Sequence, residues 1–256
     1  MVKVYDINYP AYTGPETRKM YIYLPEGYFS SPGKRYPVLY AFDGHNLFFD
    51  DHATYGKSWG LGDYLDRTGT ELIVASVECN HSPDGGRLSE YGPFDFADLE
   101  DDKKLYKGRG EETFDYYINT LKPFVDGTFR TLPDREHTFI MGSSMGGIMS
   151  LYGVLKHNDI YSRAAVLSCS YWANWARLYL TAKTAKIGDD TVVYIDFGDS
   201  EFYGPNRLGR FREMNDILLS RGVKLTARLV PGGTHCEACW EKQLQFAIPA
   251  IVYGIE

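Results

Sequence analysis

Short apolar runs alternate with helical periods along almost the whole chain, and this alternation restricts the fold more than any other feature. Residues 37–42, 72–77, 137–141, 163–168 and 191–197 are short runs rich in apolar residues, several of them β-branched. Such runs read as strands buried on both faces. Residues 19–24 (ended by Pro25) and 223–230 add two further strands. Between them lie segments with helical spacing at 58–67, 112–126, 145–156, 171–182, 206–221 and 237–252. In the second of these, Phe114, Tyr117, Ile118, Leu121 and Val125 mark one apolar face. Repeated strand–helix order predicts an α/β fold, with a mainly parallel central sheet and helices on both faces. Ligands then bind beyond the carboxyl ends of the strands.

The chain has 256 residues, which fits one large α/β domain as well as two smaller ones. No linker or repeat interrupts the order, so a single domain over residues 1–256 is expected. With 44% hydrophobic and 24% charged residues, disordered, collagen-like and coiled-coil chains are excluded. The net charge of −7 argues against nucleic acid or an anionic membrane as partner. The opening residues MVKVYDINYP hold no apolar run of signal-peptide length, and nothing approaches the ~18 apolar residues of a membrane span. A cytoplasmic protein is expected. Cys236 and Cys239 form a CxxC with no further ligand pair nearby in sequence, and read as two buried or half-buried thiols. Residues 79–111 turn polar and rich in Gly and Pro. This stretch is either a surface excursion, with an acidic run from Asp98 to Asp102, or a loop giving Tyr91, Phe94 or Phe96 to a pocket wall.

Gly142-Ser143-Ser144-Met145-Gly146 matches G-x-S-x-G, with a predicted strand before it and a predicted helix after it. That setting is a strand–turn–helix elbow carrying a serine nucleophile. The flanking glycines suit a turn too tight for a Cβ. Ser144 then stands at a helix N-terminus, where developing negative charge is favoured, and the backbone N–H of Met145 is one oxyanion donor. Serine needs a base. In strand order the acid and then the histidine follow the nucleophile, each on a loop after a strand. Only His157 and His235 lie beyond Ser144, and His157 sits at the end of the nucleophile helix. His235, in Pro231-Gly232-Gly233-Thr234-His235, is the expected base. The acid lies in Gly198-Asp199-Ser200-Glu201, where spacing alone does not separate Asp199 from Glu201; Asp196 is a weaker third, within the strand.

Taken together, these residues resemble the putative-esterase branch of the α/β-hydrolases, which includes feruloyl and acetylxylan esterases, S-formylglutathione hydrolase, siderophore esterases and mycolyltransferases. The resemblance spans nearly the whole chain. It rests on the segments Tyr40–Phe48, Phe129–Arg135, Gly142–Gly147, Gly198–Glu201 and Gly232–His235. It implies an α/β-hydrolase fold and a serine carboxylic-ester hydrolase working through an acyl-enzyme, with no cofactor and no metal. It also implies the backbone N–H of His45 as second oxyanion donor, its side chain only packing the loop, and Glu201 as the acid, with Asp199 as alternative. The substrate is expected to be a small-molecule ester with a short-chain or aromatic acyl group, carbohydrate esters among them. The same triad serves acyltransferases and thioesterases; a non-catalytic binding module would lack a triad member, and none is missing. Aromatic residues make up 15% of the chain. Trp59, Tyr171, Trp172, Trp175 and Trp240 fall on the carboxyl side of strands and are expected to border the substrate crevice.

Overall fold

In a computed structural model of the chain, residues 1–101, 103–201 and 206–254 are described. The four residues of β3 (Val38–Ala41) and the five of β4 (Ile73–Val77) are buried throughout, as expected of strands covered on both faces. The same holds for β7 (Thr138–Ser143) and β9 (Val192–Gly198), and for all but the first residue of β8 (Arg163–Leu167). With β1 (Val2–Ala11), β2 (Gly14–Tyr23) and β10 (Lys224–Val230) they form one eight-stranded sheet in the order β1-β2-β4-β3-β7-β8-β9-β10. Pairing is antiparallel from β1 through β2 to β4 and parallel from there to β10.

Successive strand residues face opposite sides, which divides the apolar interior in two. Val38, Tyr40, Ile140, Val166 and Ile195 pack on one face. There they meet α5 (Met145–Lys156), α6 (Trp175–Thr184), α7 (Arg207–Ser220) and the helical segment Gly110–Thr128. Leu39, Ala41, Phe139, Met141 and Leu167 face the other way, onto α1 (Leu61–Thr68) and α8 (Glu237–Val252). α5 is buried from Met145 to Leu155, so it runs against the sheet directly behind the turn at Ser144. No helix of the described residues is long and apolar enough to cross a membrane.

Three local features differ from the sequence expectation. β1, not expected at all, is an outer strand whose residues are mostly exposed or half-buried, so it has no continuous apolar run. The helix expected at 112–126 is α3 (Gly110–Tyr116), a π-helical turn at Tyr117–Leu121 and α4 (Lys122–Thr128). Pro123 sits in the first turn of α4, lacks an N–H and crowds the carbonyl four residues before it, which the wider turn accommodates. α6 starts at Trp175 rather than 171, because Asn174 takes a left-handed conformation and caps the helix through its side chain, accepting from the Arg177 N–H at 3.2 Å. Within the polar stretch 79–111, α2 (Gly86–Glu90) and the antiparallel pair β5 (Phe96–Ala97) and β6 (Leu105–Tyr106) form; Asp102, the end of the acidic run, lies outside the described residues.

Candidate active site

The turn between β7 and α5 holds Ser144 at φ 57° and ψ −118°. A residue with a side chain adopts such angles only under constraint from its surroundings. The constraint is visible: a Cβ on Gly142 would stand 2.6 Å from the Gly146 backbone, and one on Gly146 would stand 3.1 Å from the Phe42 side chain. The Ser144 N–H donates to the Leu167 carbonyl at 3.0 Å. The Ser144 hydroxyl lies 3.4 Å from that of Ser170, whose own N–H donates to the Ser144 carbonyl at 3.1 Å. Met145 is the first residue of α5, and N–H groups of a first helical turn have no acceptor within the helix.

His235 Nδ1 meets Glu201 Oε2 at 2.8 Å. The other carboxylate oxygen of Glu201 accepts from the Ser168 hydroxyl at 2.6 Å and the Gly198 N–H at 2.8 Å. Ser168 in turn accepts from the indole N–H of Trp240 at 2.8 Å, and the Trp240 ring stands edge-on to His235 with centroids 5.1 Å apart. Glu201 is 1% exposed. Asp199 is exposed and points the other way, accepting from the Gly232 N–H at 2.7 Å. Further bonds run between the two loops, from the Asp199 N–H to Val230 and from the Ser200 N–H to Gly233, both 3.1 Å. Asp196 stays within β9, bonded to the Ser168 N–H and the Tyr194 hydroxyl. Burial pushes its carboxyl up to about 7.

The turn after β3 (Gly44–Asn46) brings the backbone of His45 to the same place. It is held by Asp43, left-handed at φ 56°, whose carboxylate takes a two-pronged contact from Arg87 with both bonds at 2.7 Å. Burial works against that charge, but Arg87 outweighs it and keeps the Asp43 carboxyl below the usual range. The His45 imidazole is buried, with Nε2 3.1 Å from the Thr54 hydroxyl.

Ser144, His45, His235 and Trp240 all line one cavity of about 680 Å³. Much of the rest of its wall is polar: Asn46, Thr54, Asn80, His81, Arg87 and Glu237. Burial holds the Glu237 carboxyl above its ordinary range.

The aromatic expectation needs correction. Trp240 lines the cavity, but Trp59, Tyr171, Trp172 and Trp175 do not. Trp59 is buried behind Trp240, with ring centroids 5.8 Å apart. Tyr171 packs between Trp175 and Phe197 in the core, and Trp172 meets Phe96 over a separate surface depression. Apolar area wins here: these rings remove more surface from water against the sheet and its helices than a polar cavity offers. The stretch 79–111 does reach the cavity, through Cys79–Pro83 and Gly85–Leu88; Tyr91 and Phe96 are core residues, and Phe94 packs against the core. Sequence reasoning missed Ser168, Ser170 and Arg87. Only Arg87 left a signal, as a cation in a Gly-rich segment after a strand.

A family model described as "Putative esterase" matches residues 13–251. The chain belongs to that esterase family. Among related sequences, the Bacillus subtilis (strain 168) "Uncharacterized protein YbbA" is 24% identical over 184 residues, 72% of this chain and 69% of that protein. Among solved structures, a ferulic acid esterase superposes with a TM-score of 0.72 at 18% identity, covering 100% of this chain and 99% of its own. An IroE-like serine hydrolase from Shewanella oneidensis gives 0.76 at 18% identity, covering 97% and 79%. At such identities the likeness establishes the fold. This esterase therefore has the α/β-hydrolase fold expected of it, and as a member of that family it is an ester hydrolase.

Proposed function

We propose that Ser144 is the nucleophile, His235 the base and Glu201 the acid of this esterase, with the backbone N–H groups of His45 and Met145 as oxyanion donors. The observation that carries the proposal is the 2.8 Å bond between His235 Nδ1 and Glu201, with Ser144 on its constrained turn in the same cavity wall. Glu201 fixes the tautomer that leaves His235 Nε2 to take the serine proton, and stabilises the imidazolium that forms. Ser144 adds to the ester carbonyl, and each oxyanion donor contributes about 3–4 kcal/mol as charge develops. His235 then protonates the leaving alcohol. Water, activated by the same histidine, releases the acid from Ser144.

The substrate we propose is a small-molecule ester of a short-chain or aromatic acid with a hydroxyl-rich alcohol such as a sugar. Side chains of Asn46, Thr54, Asn80 and Arg87 around the cavity suit hydroxyl groups better than a lipid chain. Trp240 and the exposed Tyr55 give that wall two aromatic faces. Four cysteines without disulfides, two of them only three positions apart, support a reducing, cytoplasmic setting. The acidic charge supports action without nucleic acid or membrane.

The test is a panel of nitrophenyl acetate, nitrophenyl butyrate, acetylated and feruloylated sugars, and an S-formyl thioester. Ser144→Ala is expected to lose at least about a thousandfold in kcat/KM on the preferred ester. Equal turnover by Ser144→Ala and wild type overturns the triad. Preference for the thioester, or acyl transfer to an added sugar in place of release of free acid, overturns the substrate assignment and leaves the triad standing.

A further inference from the structure

Of two groups of metal-type ligands among the described residues, one lies beside Ser144. His45, Cys79 and His81 each offer one donor atom, and these atoms lie within 4.8 Å of one another. The three residues come from two loops, the turn after β3 and the segment leaving β4, and all line the cavity that holds Ser144. His45 and Cys79 are 4% and 2% exposed, while His81 is exposed.

One observation separates this cluster from a chance meeting. His45 Nδ1 is buried and has no hydrogen-bond partner, whereas Nε2 contacts Thr54. With the ring proton on Nε2 and shared with Thr54, Nδ1 carries the lone pair a metal requires. Tetrahedral zinc bonds of ~2.0 Å to nitrogen and ~2.3 Å to sulfur set donors roughly 3.5 Å apart. Rotation of the exposed His81 side chain can bring its nitrogen closer to the other two donors.

We infer that His45 Nδ1, Cys79 Sγ and His81 form a zinc site beside Ser144, with the fourth position open to the cavity. Mixed nitrogen and thiolate ligation selects Zn²⁺ over Mg²⁺ or Ca²⁺. On binding, the Cys79 S–H bond breaks, its proton passes to solvent and a sulfur–zinc bond forms; nothing is oxidised. Zn²⁺ here pins the loop that carries the His45 N–H and occupies part of the cavity, so it inhibits hydrolysis. That inhibition rests on the oxyanion role proposed above, whereas the binding does not.

The experiment titrates the full-length, reduced protein with Co²⁺ as a spectroscopic probe and then with Zn²⁺. Wild type is expected to take one Co²⁺ with a near-ultraviolet thiolate-to-cobalt band that Zn²⁺ erases. Cys79→Ser loses the band, and His81→Ala binds Co²⁺ at least about tenfold more weakly. Cys236→Ser/Cys239→Ser keeps it. Absence of the band in wild type, its survival in Cys79→Ser, or its loss in the double variant overturns the site. If Cys79→Ser fails to fold by circular dichroism, His81→Ala decides, because that side chain is exposed, and unchanged affinity there overturns the site. Zn²⁺ that binds but leaves nitrophenyl acetate turnover unchanged overturns the inhibition alone. An inactive triad would instead show in Ser144→Ala and leave the cobalt band untouched.

Discussion

The two carboxylates that spacing could not separate occupy opposite situations, and substitution at each has a different consequence. Glu201 faces His235, whereas Asp199 ties down the Gly232 N–H. Glu201→Gln is expected to lower kcat by about ten-thousandfold, because an amide supports the wrong histidine tautomer. Asp199→Asn should stay within about tenfold of wild type in a steady-state assay. Ser144 carries a second cost in its backbone. Ser144→Gly removes the proposed nucleophile and also the strained φ of a side-chain-bearing residue. It should unfold at higher urea, by about 1 kcal/mol or more, the released strain exceeding the added chain entropy of glycine. Asp196 gives a pH signature. Its carboxyl moves from 3.8 to about 7 on folding. Below 3.8 the group is protonated in both states and costs nothing. As pH rises from there to about 7 the unfolded state loses the proton first, so stability falls across that window. Asp196→Asn should flatten this part of the stability–pH curve, measured by urea unfolding at pH 5 and pH 8; an unchanged slope would assign the effect elsewhere.

At the level of elements, the site is four loops at strand ends, after β3, β7, β9 and β10, with α8 packed beside them. The strands of the parallel part were legible because burial on both faces leaves a continuous apolar run. The loops were legible because a nucleophile, an acid and a base must each follow a strand. β1 was not, since an outer strand has no such run, and the π-helical turn was not, since Pro123 reads only as a disturbance. The Trp240–Ser168–Glu201 chain joins residues 72 and 33 positions apart, a juxtaposition that no local pattern encodes. The aromatic prediction failed for a related reason: position after a strand fixes the end of the sheet, not the direction of a ring. Between β2 and α2, Arg18 and Glu90 form a buried pair at 2.7 Å and 2.9 Å. Arg18→Met leaves buried Glu90 without its charged partner, with only the Asn80 N–H still donating to its carboxylate, and should cost about 3–5 kcal/mol in chemical denaturation. Arg18→Met/Glu90→Leu should recover much of that loss.

Across the whole molecule, one sheet separates two apolar layers, and both layers contain residues from distant parts of the sequence. Far-ultraviolet circular dichroism and tryptophan fluorescence should therefore report one coincident unfolding transition; two separated transitions would contradict a single domain over residues 1–256. The strand order also bears on time. β3, at residues 38–41, lies between β4 and β7, and its β7 partners sit a hundred positions along the chain. The loops bearing Glu201 and His235 close only when β10 joins β9 at the far edge. Pairings this distant must pay loop-closure entropy before they return any contact energy, which places refolding in the slow range of milliseconds to seconds or beyond. During synthesis the proposed base His235 emerges from the ribosome only after Ser144, the turn after β3 and most of the sheet are already available to fold. Hydrolytic competence is thus the last property the growing chain acquires.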